Sequence, residues 1–63
     1  MIAKINKIYT RHYADNNQTK TYVEWTDHKG VNGRTEGSAS NGHMAALIAR
    51  GQREGVKHTM ENW

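Results

Sequence analysis

Length, composition and charge set narrow bounds on this chain. Its 63 residues make one domain, 1–63, and a domain this small buries only about 60% of the surface that its unfolded chain exposes. It contains no cysteine, which excludes disulfides and thiolate zinc sites. No apolar run approaches the roughly 18 residues of a membrane span, so we expect no membrane partner and a cytoplasmic location. Such a thin core favours a homodimer or stabilisation by a bound partner.

The net charge of +3 is concentrated in one part of the chain. Lys4, Lys7 and Arg11 lie within residues 1–14, which contain no acidic residue, whereas the basic and acidic residues of the remainder balance. A localised basic strip meets the anionic surface of a partner as a unit. Three net charges on a small domain also serve solubility, so the strip alone does not establish a partner.

The first two predicted elements are strands joined by a polar turn. Residues 2–13 (IAKINKIYTRHY) are rich in β-branched and aromatic side chains, which favour a strand. Residues 14–18 are of the types that favour a turn. Residues 19–27 (TKTYVEWTD) alternate between polar and apolar side chains, and this alternation predicts the second strand.

The isoleucines of the first strand do not follow the period of a flat strand. Ile2, Ile5 and Ile8 are three residues apart, whereas the side chains on one face of a strand recur at every second residue. One extra residue inserted into the strand brings such positions back to a common face. The spacing therefore predicts a β-bulge near Asn6.

A hairpin and a short third strand follow the second strand. The connecting residues 28–33 contain the pair Asn32–Gly33, which is typical of a type I′ turn because both residues tolerate positive φ angles. Residues 34–38 are then long enough for a short strand that pairs with the second one. The pattern predicts an antiparallel meander of three strands.

The helix is the element that the sequence predicts most clearly. Its apolar side chains recur at helical spacing, at i, i+3, i+4 and i+7, and they are Met44, Leu47, Ile48 and Gly51. Ser40 or Asn41 supplies the N-cap. Gly55 lies where a helix needs a left-handed residue at its C-terminal end, and Val56 after it supplies the usual hydrophobic contact.

Residues 56–63 predict a fourth strand, which completes the element order β-β-β-α-β. The expected fold class is α+β, with an antiparallel sheet of three to four strands and one helix packed on one face. Trp63 has the opposite strand parity from Met60. We therefore expect the indole of Trp63 either to pack at the edge of the domain or to be exposed.

Strand parity assigns side chains to the two faces of the predicted sheet. The apolar stripe of the helix is expected to cover Ile8, Val23 and Trp25, with Val56 and Met60 joining from the last strand. The face that the helix does not cover is called the open face below. Its predicted members are Lys7, Tyr9, Arg11, Tyr13, Lys20 and Tyr22.

Basic and aromatic side chains alternate on the open face, and this composition suits more than one role. Lys and Arg neutralise phosphates while Tyr rings stack on bases, as in nucleic-acid binding. The same residue types are enriched among the residues that dominate protein–protein binding energies. Tyr and Lys are also common on solvated strands that bind nothing, so the composition leaves three alternatives open.

The sequence contains no pattern that predicts catalysis or metal binding. No two histidines have the short spacing of a zinc pair, and no cysteine or paired carboxylate completes a site. A chain of 63 residues also has little volume for a pocket that excludes water. We therefore expect no enzyme, no cofactor and no metal. The four histidines are His12, His28, His43 and His58.

Two segments carry a resemblance to known DNA-binding domains. YVEWTDHKGVNGRTEG followed by ASNGHMAALIARGQ resembles the arm-binding N-terminal domain of phage integrases and, in outline, the three-stranded DNA-binding domains of plants. In those families the sheet enters the major groove and basic side chains contact bases. The resemblance covers residues 19–53. It implies groove-facing roles for Lys20, Tyr22, Glu24 and Arg34.

The chain also departs from those families, because acidic residues lie on the sheet, a strand follows the helix and no catalytic domain follows within residues 1–63. In size and architecture it is similar to the accessory proteins that phages and mobile elements encode, of which anti-CRISPR proteins are an example. That resemblance implies an inhibitor of a host defence complex.

The sequence thus predicts a small non-enzymatic binding protein, an inhibitor that blocks a surface of a host protein or nucleoprotein complex. The alternative is a nucleic-acid-binding module that uses the same face. Acidic residues on the second and third strands favour a protein partner, since they repel a phosphate backbone. The predicted binding residues are Lys7, Tyr9, Arg11, Tyr13, Lys20, Tyr22 and Arg34.

Overall fold

The computed structural model describes all residues from 1 to 63 and consists of one helix packed on one four-stranded sheet. The fold is α+β, and the predicted order β-β-β-α-β is confirmed. The sheet has the strand order β3-β2-β1-β4. The elements are β1 Ile2–Tyr13, β2 Gln18–Asp27, β3 Asn32–Gly37, α1 Gly42–Arg53 and β4 His58–Asn62.

The direction of β4 corrects the expectation of an antiparallel sheet. β4 pairs with β1 in parallel, from Ile8 opposite His58 to His12 opposite Asn62, so the sheet is mixed. The β1–β2–β3 meander is antiparallel, and it leaves two edge strands that run in the same direction. Because α1 carries the chain back along the sheet before β4 begins, β4 runs in that direction too. Pairing at either edge would therefore have been parallel.

β1 pairs with β2, and the pairing contains two shifts of register. One leaves Asn6 as an extra residue between Ile5 and Lys7, which confirms the predicted bulge, and a second shift at Ala3 was not predicted. Each shift changes the face on which the following side chains lie. Together they bring all three isoleucines of β1 to the face that α1 covers.

The hairpin between β2 and β3 corrects the predicted type I′ turn. Asn32 and Gly33 lie within β3, which therefore begins before residue 34, and neither has a positive φ. The turn occupies residues 28–31 instead. The carboxylate of Asp27 accepts two turn N–H groups, each at 2.9 Å, and Gly30 supplies the left-handed conformation with φ 84°.

Both ends of α1 are capped as the sequence predicts. The side chain of Asn41 accepts hydrogen bonds from the backbone N–H groups of the first turn. At the C-terminal end Gly55 has a φ of 88°, and the N–H of Val56 donates to the carbonyl of Gly51 at 2.9 Å. This is the arrangement in which a left-handed residue ends a helix. No helix of the structure is long and apolar enough to cross a membrane.

The core lies between α1 and the β1–β2 pair. Val56 and Trp25 pack against it while half-buried, as expected. Met60 does not join it, because α1 packs on β1, β2 and β3 and leaves the Met60 side chain 69% exposed on the edge strand. The buried apolar residues between the helix and the sheet are Ile5, Ile8, Val23, Met44 and Leu47.

Candidate binding face

The strand register brings all the predicted binding residues together on the open face. Tyr9 lies opposite Tyr22 and Arg11 lies opposite Lys20 on the β1–β2 ladder, while Arg34 of β3 is paired with Glu24. The face also contains neighbours that were not predicted as binding residues, because their positions depend on the unforeseen pairing of β4 and on the register of β3. These neighbours are Glu36, Thr59, Glu61 and Trp63, and they lie beside Glu24 of β2, for which the resemblance to DNA-binding domains implied a groove-facing role.

Two tyrosines form a buried aromatic layer on this face. The rings of Tyr9 and Tyr22 are stacked, with centroids 5.1 Å apart, and the side chains are only 1% and 4% exposed. Cations cover them: Lys7 Nζ lies 4.6 Å from the centroid of Tyr9, and the Arg34 guanidinium lies 5.0 Å from that of Tyr22. The tyrosine rings therefore stabilise the sheet and are not free to stack on a base.

Arg11 lies at the centre of the face and joins β1 to β4. Its Nε donates a 2.8 Å hydrogen bond to Glu61, and its guanidinium lies 4.9 Å from the centroid of Tyr9 and 4.6 Å from that of Trp63. The hydrogen bond raises the pKa of Arg11 and lowers the pKa of the Glu61 carboxyl below its usual range. The charges of Arg11 and Glu61 therefore neutralise each other within the fold.

Trp63 combines a fixed backbone with an exposed side chain. Its N–H donates to the carbonyl of His12 at 2.8 Å, and its carbonyl accepts from the N–H of Ala14 at 3.0 Å. Its indole N–H donates to Glu61 at 3.4 Å, yet the residue is 63% exposed. Both predicted alternatives thus describe Trp63 in part, since one ring face packs at the domain edge while most of the residue meets solvent.

Hydrogen bonds connect the hydroxyls of the three tyrosines to their neighbours. Tyr9 donates to Glu24 at 2.8 Å and accepts from Arg34 at 3.4 Å, and the latter bond raises the pKa of Arg34. The hydroxyls of Tyr13 and Tyr22 are 2.8 Å apart. This contact lowers the pKa of Tyr13 and raises the pKa of Tyr22, because the first phenolate to form is stabilised by the remaining hydroxyl. The side chains are thus held in one arrangement.

The charges that reach solvent on the open face are mainly positive. The carboxylates of Glu24 and Glu61 are half-buried and are bonded to Tyr9 and Arg11. Glu36 is the one exposed acidic residue among the paired positions of this face. The exposed cations are Lys4, Lys7, Lys20 and Arg34.

A shallow polar groove of about 440 Å³ lies at the β3 side of the face. The bulge residue Asn6 borders it, and its amide donates to Thr26 at 2.8 Å. The groove offers hydrogen-bonding groups of both kinds beside the indole of Trp25. Its lining residues are Asn6, Glu24, Trp25, Asn32, Gly33 and Arg34.

The histidines and carboxylates form no cluster of three that could hold a metal ion. His58 instead completes a buried polar contact on the other face, where its Nε2 lies 2.6 Å from the hydroxyl of Thr10. That hydroxyl lies 2.9 Å from the hydroxyl of Thr21, and both threonines are buried. The arrangement satisfies polar groups that would otherwise be costly to bury.

No protein-family model, curated protein or solved structure matches the chain. Only the geometry of the chain itself therefore indicates a function. The resemblances to integrase arm-binding domains and to anti-CRISPR-like accessory proteins stay predictions.

Proposed function

We propose that the chain is a non-enzymatic binding protein, an inhibitor that blocks a surface of a larger host protein or nucleoprotein complex with its open face. A phage or mobile element is the proposed source of such an inhibitor. The observation that best supports the proposal is Trp63, which is 63% exposed although hydrogen bonds fix its backbone and its ring packs on Arg11. Tryptophan, tyrosine and arginine are the residues that most often dominate protein–protein binding energies.

The fixed arrangement of the face favours binding further. Groups that are already held in place lose little conformational freedom when a partner binds, so more of the contact energy appears as affinity. Tyr13 is half-buried and hydrogen-bonded, and Trp63 rests on Arg11. Around them Lys7, Lys20 and Arg34 are exposed and suit an acidic surface on the partner.

Binding of nucleic acid is the second candidate function. The four exposed cations of the open face, set against the single exposed carboxylate of Glu36, favour contact with phosphates. The buried tyrosine rings argue against stacking on single-stranded bases, because stacking needs an exposed ring face. We therefore give the protein partner precedence.

The first test compares Trp63→Ala with Met60→Ala. Both residues are largely exposed, and only Trp63 lies on the open face. Each variant is immobilised and incubated with a lysate of the host, and the retained protein is identified and titrated against all three forms. We expect Trp63→Ala to weaken binding by at least about tenfold and Met60→Ala to leave it unchanged. Equal binding by the two variants contradicts the proposal.

Tyr9 is an unsuitable probe of binding, because it is 1% exposed and its replacement disturbs the fold. Exposed cations are better probes for the nucleic-acid alternative. Generic duplex and single-stranded DNA are titrated over a salt series with the wild type and with Lys7→Glu and Lys20→Glu. Affinity that falls steeply with salt, and falls further in these variants than in Trp63→Ala, supports nucleic acid. No binding at low salt excludes it.

A further inference from the structure

β3 is an edge strand without a bulge or a proline that would prevent it from pairing with another edge. It lies at the end of the sheet, and its six residues pair with β2 without any shift of register. The chain contains no proline. A regular, unprotected edge strand presents unpaired N–H and C=O groups to another strand.

The direction of those unpaired groups follows from the hairpin. The N–H of Asp27 donates to the carbonyl of Val31 at 2.9 Å, which makes this a hydrogen-bonded pair of the antiparallel ladder. Such pairs alternate with pairs that exchange no hydrogen bond. The backbone groups of Thr35 therefore point towards β2, while those of Arg34 and Glu36 point away from the sheet.

We infer that two copies of the chain form a two-fold symmetric dimer by antiparallel pairing of their β3 strands, centred on Thr35. In this register Arg34 of each copy lies opposite Glu36 of the other. The outward backbone groups of the two strands then form hydrogen bonds. The dimer also contains two Arg34–Glu36 pairs of opposite charge. Both side chains are exposed and lie on the open face. The carboxylate of Glu36 forms no hydrogen bond or ion pair within its own chain.

The other edge of the sheet is less suited to symmetric pairing. On β4 the equivalent charge pair requires an axis through Thr59, which places Lys57 opposite Glu61 of a second copy. The carboxylate of Glu61 is already bonded to Arg11 at 2.8 Å. At β3 the carboxylate of Glu36 has no ion pair, and Arg34 is bonded only to the uncharged hydroxyl of Tyr9 at 3.4 Å, so the charge complementarity selects β3.

The dimer follows from edge pairing and needs no host partner, and Arg34 is the one predicted binding residue that it uses. The accessible surface of 4314 Å² is close to the roughly 4,100 Å² typical of a monomer of this mass, so the single chain is as compact as a folded monomer. Pairing joins the two sheets into a single sheet of eight strands, four from each copy. A two-fold axis perpendicular to the sheet keeps both helices on one side.

Charge reversal provides the first test, with sedimentation equilibrium over a concentration series as the measurement. We expect the wild type to approach twice the chain mass, and Arg34→Glu or Glu36→Arg alone to weaken self-association by at least about tenfold. An equimolar mixture of the two variants restores opposite charges at both contacts and should restore the dimer. Lys20→Glu and Asp15→Arg change the net charge equally at exposed positions away from this edge and should leave association unchanged.

Thr35→Cys provides the second test, because the wild-type chain contains no cysteine. Opposed residues that exchange no hydrogen bond have Cα atoms about 4.5 Å apart, within the range that a disulfide spans. Oxidation should therefore give a covalent dimer, whereas Thr59→Cys on the opposite edge should not. Circular dichroism confirms that each variant is folded. A wild type that stays monomeric throughout the series, or a dimer formed through Thr59→Cys instead, overturns the inference.

Discussion

Gly51 of α1 lies directly against Ile8 of β1. A Cβ at position 51 would lie 2.5 Å from the Cδ1 of Ile8 and 3.0 Å from the Cγ2 of Ile5. Ile8 has no exposed surface and Ile5 is 1% exposed, so neither side chain has free space into which to move. The missing side chain at Gly51 is what lets the helix approach the bulged strand.

Gly51→Ala is expected to destabilise the fold by about 1–2 kcal/mol. Overpacking costs about 1–3 kcal/mol, and the higher helix propensity of alanine recovers up to about 1 kcal/mol. Gly42→Ala is the matched control, because a Cβ there meets nothing within 4 Å, and it should be neutral or stabilising. Urea unfolding monitored by circular dichroism gives both values. Equal stability of the two variants contradicts the close approach of α1.

Gly33→Ala is expected to displace the indole of Trp25. A Cβ at position 33 would lie 2.4 Å from the Cη2 of Trp25, and the indole N–H donates to the hydroxyl of Thr35 at 2.9 Å. We expect a loss of about 1–3 kcal/mol and a shift of the Trp25 fluorescence. The measurement is made with Trp63→Phe present, so that only one tryptophan emits. Gly37→Ala, whose Cβ meets only Met44 at 3.3 Å, should have a smaller effect.

Local patterns predicted the elements of this fold, and long-range pairing supplied what they missed. The isoleucine spacing predicted the bulge at Asn6, and helical periodicity with Gly55 predicted α1 and its end. The Asn32–Gly33 pair predicted the wrong turn. The chain turns earlier, at residues 28–31, where the side chain of Asp27 accepts hydrogen bonds from two backbone N–H groups. The parallel direction of β4 follows from the return of the chain through α1, but which edge it joins depends on contacts that no local pattern encodes.

The tyrosines of the candidate site were predicted on the open face, but the burial of Tyr9 and Tyr22 was not. Parity placed Tyr9 and Tyr22 on the face away from the helix, where solvated side chains are common. Their burial arises from cations of β1 and β3 that cover the rings. Register decides which side chains meet across strands, and the sequence alone did not determine it.

Tyr9→Phe is expected to destabilise the fold by about 1 kcal/mol. The substitution removes the donor to Glu24 and the acceptor for Arg34, while the ring stays stacked on Tyr22. A hydrogen bond of this kind contributes about 0.5–1.5 kcal/mol. Tyr13→Phe loses the contact with the hydroxyl of Tyr22 at a less buried position and should cost less. The free energies of unfolding of the two variants test this difference. A larger loss for Tyr13→Phe than for Tyr9→Phe contradicts the hydrogen bonds assigned to the Tyr9 hydroxyl.

Acid is expected to weaken the contact between β1 and β4. Arg11 donates a hydrogen bond that lowers the pKa of Glu61 below its ordinary value of 4.5. A carboxyl with a lower pKa in the folded state stabilises the fold above its ordinary pKa, and this contribution is lost as the pH falls through the folded value. Melting temperatures of the wild type should therefore fall below about pH 4.5, and Glu61→Gln should flatten this decline. Asp15→Asn, at an exposed turn residue, should not.

Arg11→Lys keeps the charge of Arg11 and should still lower the melting temperature. Arg11 and Arg50 each donate from Nε to a glutamate at 2.8 Å, and their side chains are 24% and 34% exposed. Only Arg11 also lies over aromatic rings, those of Tyr9, Tyr22 and Trp63. An ammonium group lacks the planar surface that stacks on such rings.

Arg50→Lys is the control for Arg11→Lys, because it removes the same Arg–Glu geometry, together with a hydrogen bond to the carbonyl of Ala3 at 3.1 Å, without any ring contact. We expect Arg11→Lys to lower the melting temperature clearly more than Arg50→Lys does. We also expect Arg11→Lys to make Trp63 more accessible to a neutral fluorescence quencher. This second measurement uses a Trp25→Phe background, in which Trp63 is the only indole. If the two variants have equal melting temperatures, the Arg11–Glu61 contact is an ordinary surface ion pair, which contributes little to stability. The ring contacts would then not be what fixes Trp63, and the proposal that a pre-formed face binds a partner would lose its basis.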